Sequence, residues 1–130
     1  MDEIKFCIET DPRPLARARF NGRRCYQPSS NREYRQIVQS AAKLAMGNNP
    51  PLRGAISVAV KLFRKYQPTA KIFGDVDNFL KAIFDGLNGL AFVDDSQVVT
   101  CTVAKFTDKV RPRAEVTISK LPAEVNLKQF

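Results

Sequence analysis

Residues 76–88, VDNFLKAIFDGLN, constrain the fold more than any other stretch. Phe79, Leu80, Ile83, Phe84 and Leu87 recur at helical spacing and predict one apolar face. Asp77, Lys81 and Asp85 fall at i, i+4 and i+8 on the other side. A helix with one wet face needs a second layer to cover the dry one. Strand patterns on both sides supply it. AISVAVKLF (55–63) alternates Ile56, Val58, Val60 and Leu62, and DSQVVTCTVAKF (95–106) and AEVTISKL (114–121) read as two further strands. The basic turn TDKVRPR joins the last two, which predicts an antiparallel hairpin. Near the start, EIKFCIE (3–9) alternates Ile4, Phe6 and Ile8, another strand.

TDPRPLARARFNGRRCYQPSS follows as a proline- and arginine-rich loop, with a short hairpin at Asn21-Gly22. Ser30-Asn31-Arg32-Glu33 is a capping-box pattern. It opens a helix over about residues 31–46, whose predicted face is Tyr34, Ile37, Val38, Ala41, Leu44 and Ala45. Gly47-Asn48-Asn49-Pro50-Pro51 stops it. The order is β-α-β-α-β-β, an α/β chain of the α+β type: a two-layer sandwich with two helices on a mixed sheet. The 130 residues suit a single domain. The tail after about residue 121 is expected to be loose.

The chain carries 21 Lys and Arg against 13 Asp and Glu, a net charge of +8. The distribution is uneven. Between Arg13 and Arg35 there are seven arginines and one acid, Glu33. Between Ile72 and Asp95 the sign reverses, with five aspartates against Lys81, a local net of −4. A basic body suits a polyanion such as nucleic acid. An acidic island inside it repels phosphate unless a divalent cation sits between them.

The residue types exclude several chemistries. There is no histidine, so Ser-His and Cys-His nucleophile schemes and histidine metal sites are absent. Cys7, Cys25 and Cys101 form no CxxC pair and are expected to be reduced, half-buried thiols. Asp75-Val-Asp77-Asn78 is no EF-hand loop, because Phe79 takes a ligand position and Leu80 replaces the required glycine. There is no phosphate-binding glycine loop. The acidic, alternating N-terminus does not resemble a leader, and no run of about 18 apolar residues exists. The expectation is a cytoplasmic protein with no membrane partner and no small-molecule cofactor.

What the acids can do depends on where they sit. Asp75 and Asp77 flank the helix start, and Asp85 is about 12 Å further along the axis. Asp94 and Asp95 come from the next strand, which could bring one of them beside Asp75 and Asp77. Mg²⁺ favours hard oxygen ligands and keeps several waters, so a few aspartates plus a phosphate oxygen suit it. Lys81 can hold a phosphate or neutralise its developing charge. Asn78 can orient a carboxylate. Plainer roles exist for each: an N-cap for Asp75 or Asp77, an i,i+4 pair for Lys81, a turn for Asp94-Asp95.

D-x-D-N-x-x-K-A-x-x-D-x-L, a short gap, then D-D-x-Q-V resembles the RusA family of Holliday junction resolvases. The matching residues are Asp75, Asp77, Asn78, Lys81, Ala82, Asp85 and Leu87, then Asp94, Asp95, Gln97 and Val98. A weaker likeness covers nearly the whole chain. The resemblance implies a homodimeric, Mg²⁺-dependent endonuclease, with Mn²⁺ as a substitute ion. Such enzymes cut four-way DNA junctions by paired nicks, in recombination and repair, and are common in prophages. Asp75, Asp77 and Asp95 would be the metal-binding catalytic carboxylates and Lys81 the catalytic lysine. Asn78, Asp85 and Asp94 would support them. Arg13, Arg17, Arg19, Arg23, Arg24 and Lys71 are candidate DNA contacts. Some relatives carry several arginines just before the first aspartate, where Ala70–Gly74 holds only Lys71. The rivals are a nuclease for flaps or forks, a non-catalytic DNA-binding module, and a structural Ca²⁺ site.

Overall fold

The computed structural model describes residues 1–122 except Ala18, Arg23 and Gln27, and leaves out the side chains of Arg19, Phe20, Asn21 and Tyr26. The candidate contact Arg23, the Arg19 side chain and the tail from residue 123 onward therefore lie outside the described residues. Among the described residues six strands and two α-helices form: β1 (Glu3–Ile8), β2 (Arg19–Asn21), β3 (Arg24–Tyr26), α1 (Ser29–Met46), β4 (Ile56–Arg64), α2 (Val76–Leu87), β5 (Val98–Thr107) and β6 (Arg113–Lys120). The main sheet has four strands in the order β1-β6-β4-β5, and β2 and β3 form a separate hairpin. Only β4 and β5 run parallel. The result is the expected α+β arrangement, two helices on an open mixed sheet.

Periodicity explains the core. Ile4 and Ile8 of β1, Ile56, Val58, Val60 and Leu62 of β4, and Ala114, Val116 and Ile118 of β6 are buried in alternation. Phe79, Ala82, Ile83 and Leu87 of α2 and Tyr34, Val38, Ala42 and Met46 of α1 pack with them in one cluster. Among the described residues no helix is long and apolar enough to cross a membrane.

Several expectations needed correction. The last two strands do not form a hairpin: β6 lies between β1 and β4, so β4 separates it from β5. The connection crosses the end of β4, where the Asp108 N–H donates to the Arg64 carbonyl. Strand composition gives the reason. β6 alternates fully buried side chains and suits the interior, while β5 has exposed residues on both faces and suits an edge. The capping box at Ser30 and Glu33 is not made. α1 starts at Ser29 behind Pro28, with no side-chain cap, and Glu33 instead pairs with Arg13. Leu44 is 87% exposed; Ala42 and Met46 take the buried positions on that side of α1. Cys25 and Cys101 are exposed, and only Cys7 is half-buried.

The two helices touch closely at Gly86. A Cβ there would sit 2.6 Å from Val38 Cγ1 and 2.7 Å from Val38 Cβ. Helix propensity alone favours alanine over glycine by about 1 kcal/mol. Overpacking a stiff β-branched neighbour costs about 1–3 kcal/mol, so the clash dominates. Gly86→Ala is expected to lower the urea unfolding midpoint; an unchanged or raised midpoint would contradict this packing.

Candidate active site

β4, α2 and β5 form a parallel strand–helix–strand unit, and this unit sets where the acids go. After β4 the chain reaches a short turn at Lys71–Phe73, then Gly74, then Asp75. Gly74 has φ 103°, and a Cβ on it would lie 2.8 Å from the Phe79 ring, so only glycine fits ahead of Asp75. Asp75 has N-cap backbone geometry, but its carboxylate makes no capping hydrogen bond. Asp77 follows in the first turn. Both are exposed, as are Lys81 and Asp85.

Arg64, the last residue of β4, fixes this turn. Its side chain is only 11% exposed. It grips Asp11 with two hydrogen bonds, Nε to Oδ1 at 3.0 Å and Nη2 to Oδ2 at 3.2 Å. It also donates to the carbonyls of Ile72 and Phe73. The guanidinium carbon lies 4.9 Å from the Tyr66 ring centroid, 5.5 Å from that of Phe79 and 5.8 Å from that of Phe73. The sequence reading missed this residue. The only local signal was a basic residue ending an apolar strand before an aromatic, proline-containing loop.

The arginine-rich loop is fastened beside the same helix. The Leu15 N–H donates to the Asn78 carbonyl at 3.0 Å. Asn31 of α1 holds Ala16 at both ends, accepting its N–H and donating to its carbonyl, each at 2.9 Å. Arg17 is thus exposed two residues from a bond to α2. Arg13 is pinned to Glu33 at 3.1 Å. Arg24 is exposed on the hairpin, and Lys71 is exposed four residues before Asp75.

Asp94 and Asp95 lie elsewhere. The end of α2 is tied to Phe92, and Phe92 bridges to Leu52, which precedes β4. Gln97 accepts the Val93 and Asp94 N–H groups on Oε1 and donates to the Leu52 and Gly54 carbonyls. The D-D-x-Q turn is therefore locked to the start of β4, whereas Asp75 sits beyond its end. The 12-residue α2 between them is about 18 Å long. The strand beside the helix start is the end of β5, not its beginning, so Asp95 does not meet Asp75 and Asp77 within one chain. In agreement, no group of three or more Asp, Glu or Cys among the described residues is arranged to hold a metal ion.

The acids divide by role. Asp94 caps the turn at Asp95–Gln97, and bonds from Ser96 hold its carboxyl below the ordinary value. Asp85 opens onto a cavity of about 590 Å³ that Arg32 and Arg35 of α1 also line, two arginines that extend the basic surface. Within hydrogen-bond and ion-pair distance, Asp75, Asp77, Lys81 and Asp95 have no side-chain partner among the described residues. They are free for other work.

Two comparisons with known proteins bear on what that work is. A family model described as Endodeoxyribonuclease RusA matches residues 9–119. A Bacillus subtilis (strain 168) protein, named only as uncharacterized protein YqaN, is 32% identical over 148 aligned residues, covering 95% of this chain and 100% of the relative.

The difference between working and structural charges is measurable without activity. Asp75→Asn and Asp77→Asn are expected to change unfolding free energy by less than about 0.5 kcal/mol. Arg64→Met should lose about 2–4 kcal/mol, because it leaves Asp11 and two carbonyls without their donor. Urea unfolding of the three variants checks this. Equal losses would mean that the acids also hold the fold.

Proposed function

This chain belongs to the RusA endodeoxyribonuclease family, and on that premise we propose that it is a Mg²⁺-dependent endonuclease resolving four-way DNA junctions by paired symmetric nicks. Its setting would be DNA recombination and repair. The observation that carries this reading is the pair Asp75 and Asp77. Two exposed carboxylates with no side-chain partner among the described residues stand at one helix start, beside a fastened arginine loop.

That pair fits Mg²⁺, which is commonly held by one or two carboxylates while substrate phosphate and water fill the other positions. When bound, the ion supplies stabilisation for the charge that gathers on a scissile phosphodiester; Mn²⁺ has the same ligand chemistry. Asp75 and Asp77 would hold it. Lys81, one turn beyond Asp77, presents an ammonium group to the reacting phosphate. The backbone carbonyl of Asn78 accepts the Leu15 N–H; its side-chain amide would orient a carboxylate or reach a phosphate. Arg17, Arg24 and Lys71, with Arg13, Arg19 and Arg23, contact backbone phosphates, which position DNA without reading sequence. Asp85 and Asp94 support from a distance.

Asp95 enters through a second copy. A four-way junction is close to two-fold symmetric, and two symmetric cuts call for a two-fold dimer. One chain offers Asp75 and Asp77 at one end of α2 and Asp95 at the other. In a dimer, Asp95 of the partner subunit would complete the carboxylate set, and each copy would do the same for the other.

A labelled four-way junction incubated with the protein tests the reading. Paired nicks in opposing strands are expected with Mg²⁺ and none with EDTA. Asp77→Asn should lower the rate at least about 100-fold while junction binding remains. A wild-type protein that leaves junctions intact fails the proposal. Equal cutting of a flap or a plain duplex would favour a broader nuclease. Arg17→Gln should weaken binding for every sequence and reduce the salt slope by about 1.

A further inference from the structure

The sheet has two edges, and they differ. β1 is six residues long, with Glu3 and Lys5 paired at 3.3 Å on its exposed side, and α1 packs against it. Charged side chains on a short strand discourage further pairing. β5 is ten residues long and bonds to β4 along one side only. Lys105 is its one charged residue, and it contains no proline. Val99 is 36% and Phe106 40% exposed, and Cys101, Thr102 and Ala104 are exposed between them. Apart from Lys105, this long edge has none of the usual protection among the described residues and can template another strand.

Charge selects the occupant. Asp94 and Asp95 lie just before β5, and Lys105 and Lys109 lie at and beyond its end. A second β5 running antiparallel sets Asp94 and Asp95 of each copy against Lys105 and Lys109 of the other. A parallel copy sets like against like, and a two-fold axis along the strands would bring identical backbone groups face to face, where no ladder forms. We propose that β5 is the seam between two copies of this chain, joined edge to edge and antiparallel. Two four-stranded sheets then become one of eight strands. This rests on the dimeric nuclease proposed above and names its contact. It also brings the Asp95 end of each β5 to the end of the joined sheet where the partner carries its Asp75 and Asp77.

Light scattering on the eluting protein at about 10 μM should give twice 14.6 kDa for the wild type. Thr102→Lys, at mid-strand, should elute at the monomer mass with an unchanged circular dichroism spectrum. If that variant does not fold, cysteine cross-linking decides. In a background with Cys7→Ser, Cys25→Ser and Cys101→Ser, Thr102→Cys should form a covalent dimer on oxidation and Lys5→Cys on β1 should not. A folded, dimeric Thr102→Lys, or cross-linking through Lys5→Cys alone, overturns the seam. A monomeric wild type that still nicks junctions overturns the seam and leaves the nuclease reading standing. A β5-linked dimer that cuts nothing does the reverse.

Discussion

The Arg64 guanidinium joins three segments of the chain. It ends β4, holds Asp11 at the start of the arginine-rich loop, and bonds the carbonyls of Ile72 and Phe73. Three aromatic rings shield it, so its bonds sit in a partly desolvated setting where they count for more than on an open surface. Through this one side chain, the path into Asp75 and the path into Arg13 and Arg17 are set by the same strand end. The Leu15–Asn78 and Ala16–Asn31 bonds then complete the attachment of the loop.

That attachment resolves the contrast of charges in the sequence. A basic loop and an acidic helix start would ordinarily neutralise each other. Here the loop is held by backbone and amide contacts instead, and Arg13 is engaged by Glu33. Among the described residues, the Asp75 and Asp77 carboxylates have no side-chain partner. Charges left in this way cost the fold little because they stay in water. In the proposed function they hold a cation and, through it, a polyanion.

Much of the fold was legible because burial imposes periods. The faces of α2, β4 and β6 followed from their apolar spacing, and so did the two-layer arrangement. Strand pairing was not legible. The basic turn after β5 looked like a hairpin because local sequence does not record that β6 passes the end of β4. Leu44 was misplaced because a periodic pattern counts every apolar residue, including one on the wet side. At the site, the acids and Lys81 stood out by type and spacing. Their grouping did not. A strand–helix–strand crossover puts the residue after the first strand and the residue before the second at opposite ends, and that fact alone separates Asp95 from Asp75. Gln97 was matched as part of a motif, yet its visible work is to lock a turn. Arg64 was invisible because its partners are 53 and 8–9 residues away.

In the proposed dimer each metal site is shared between two copies, with Asp75 and Asp77 from one and Asp95 from the other. Mixed subunits test it most directly. Asp77→Asn and Asp95→Asn proteins, each inactive alone, are unfolded together, refolded as a mixture and given a labelled four-way junction with Mg²⁺. In a mixed dimer one site then carries both changes and the other carries neither. Shared sites predict that the mixture regains single nicks. If the mixture stays as inactive as its components while dimers demonstrably exchange, each site lies within one chain and the account is wrong.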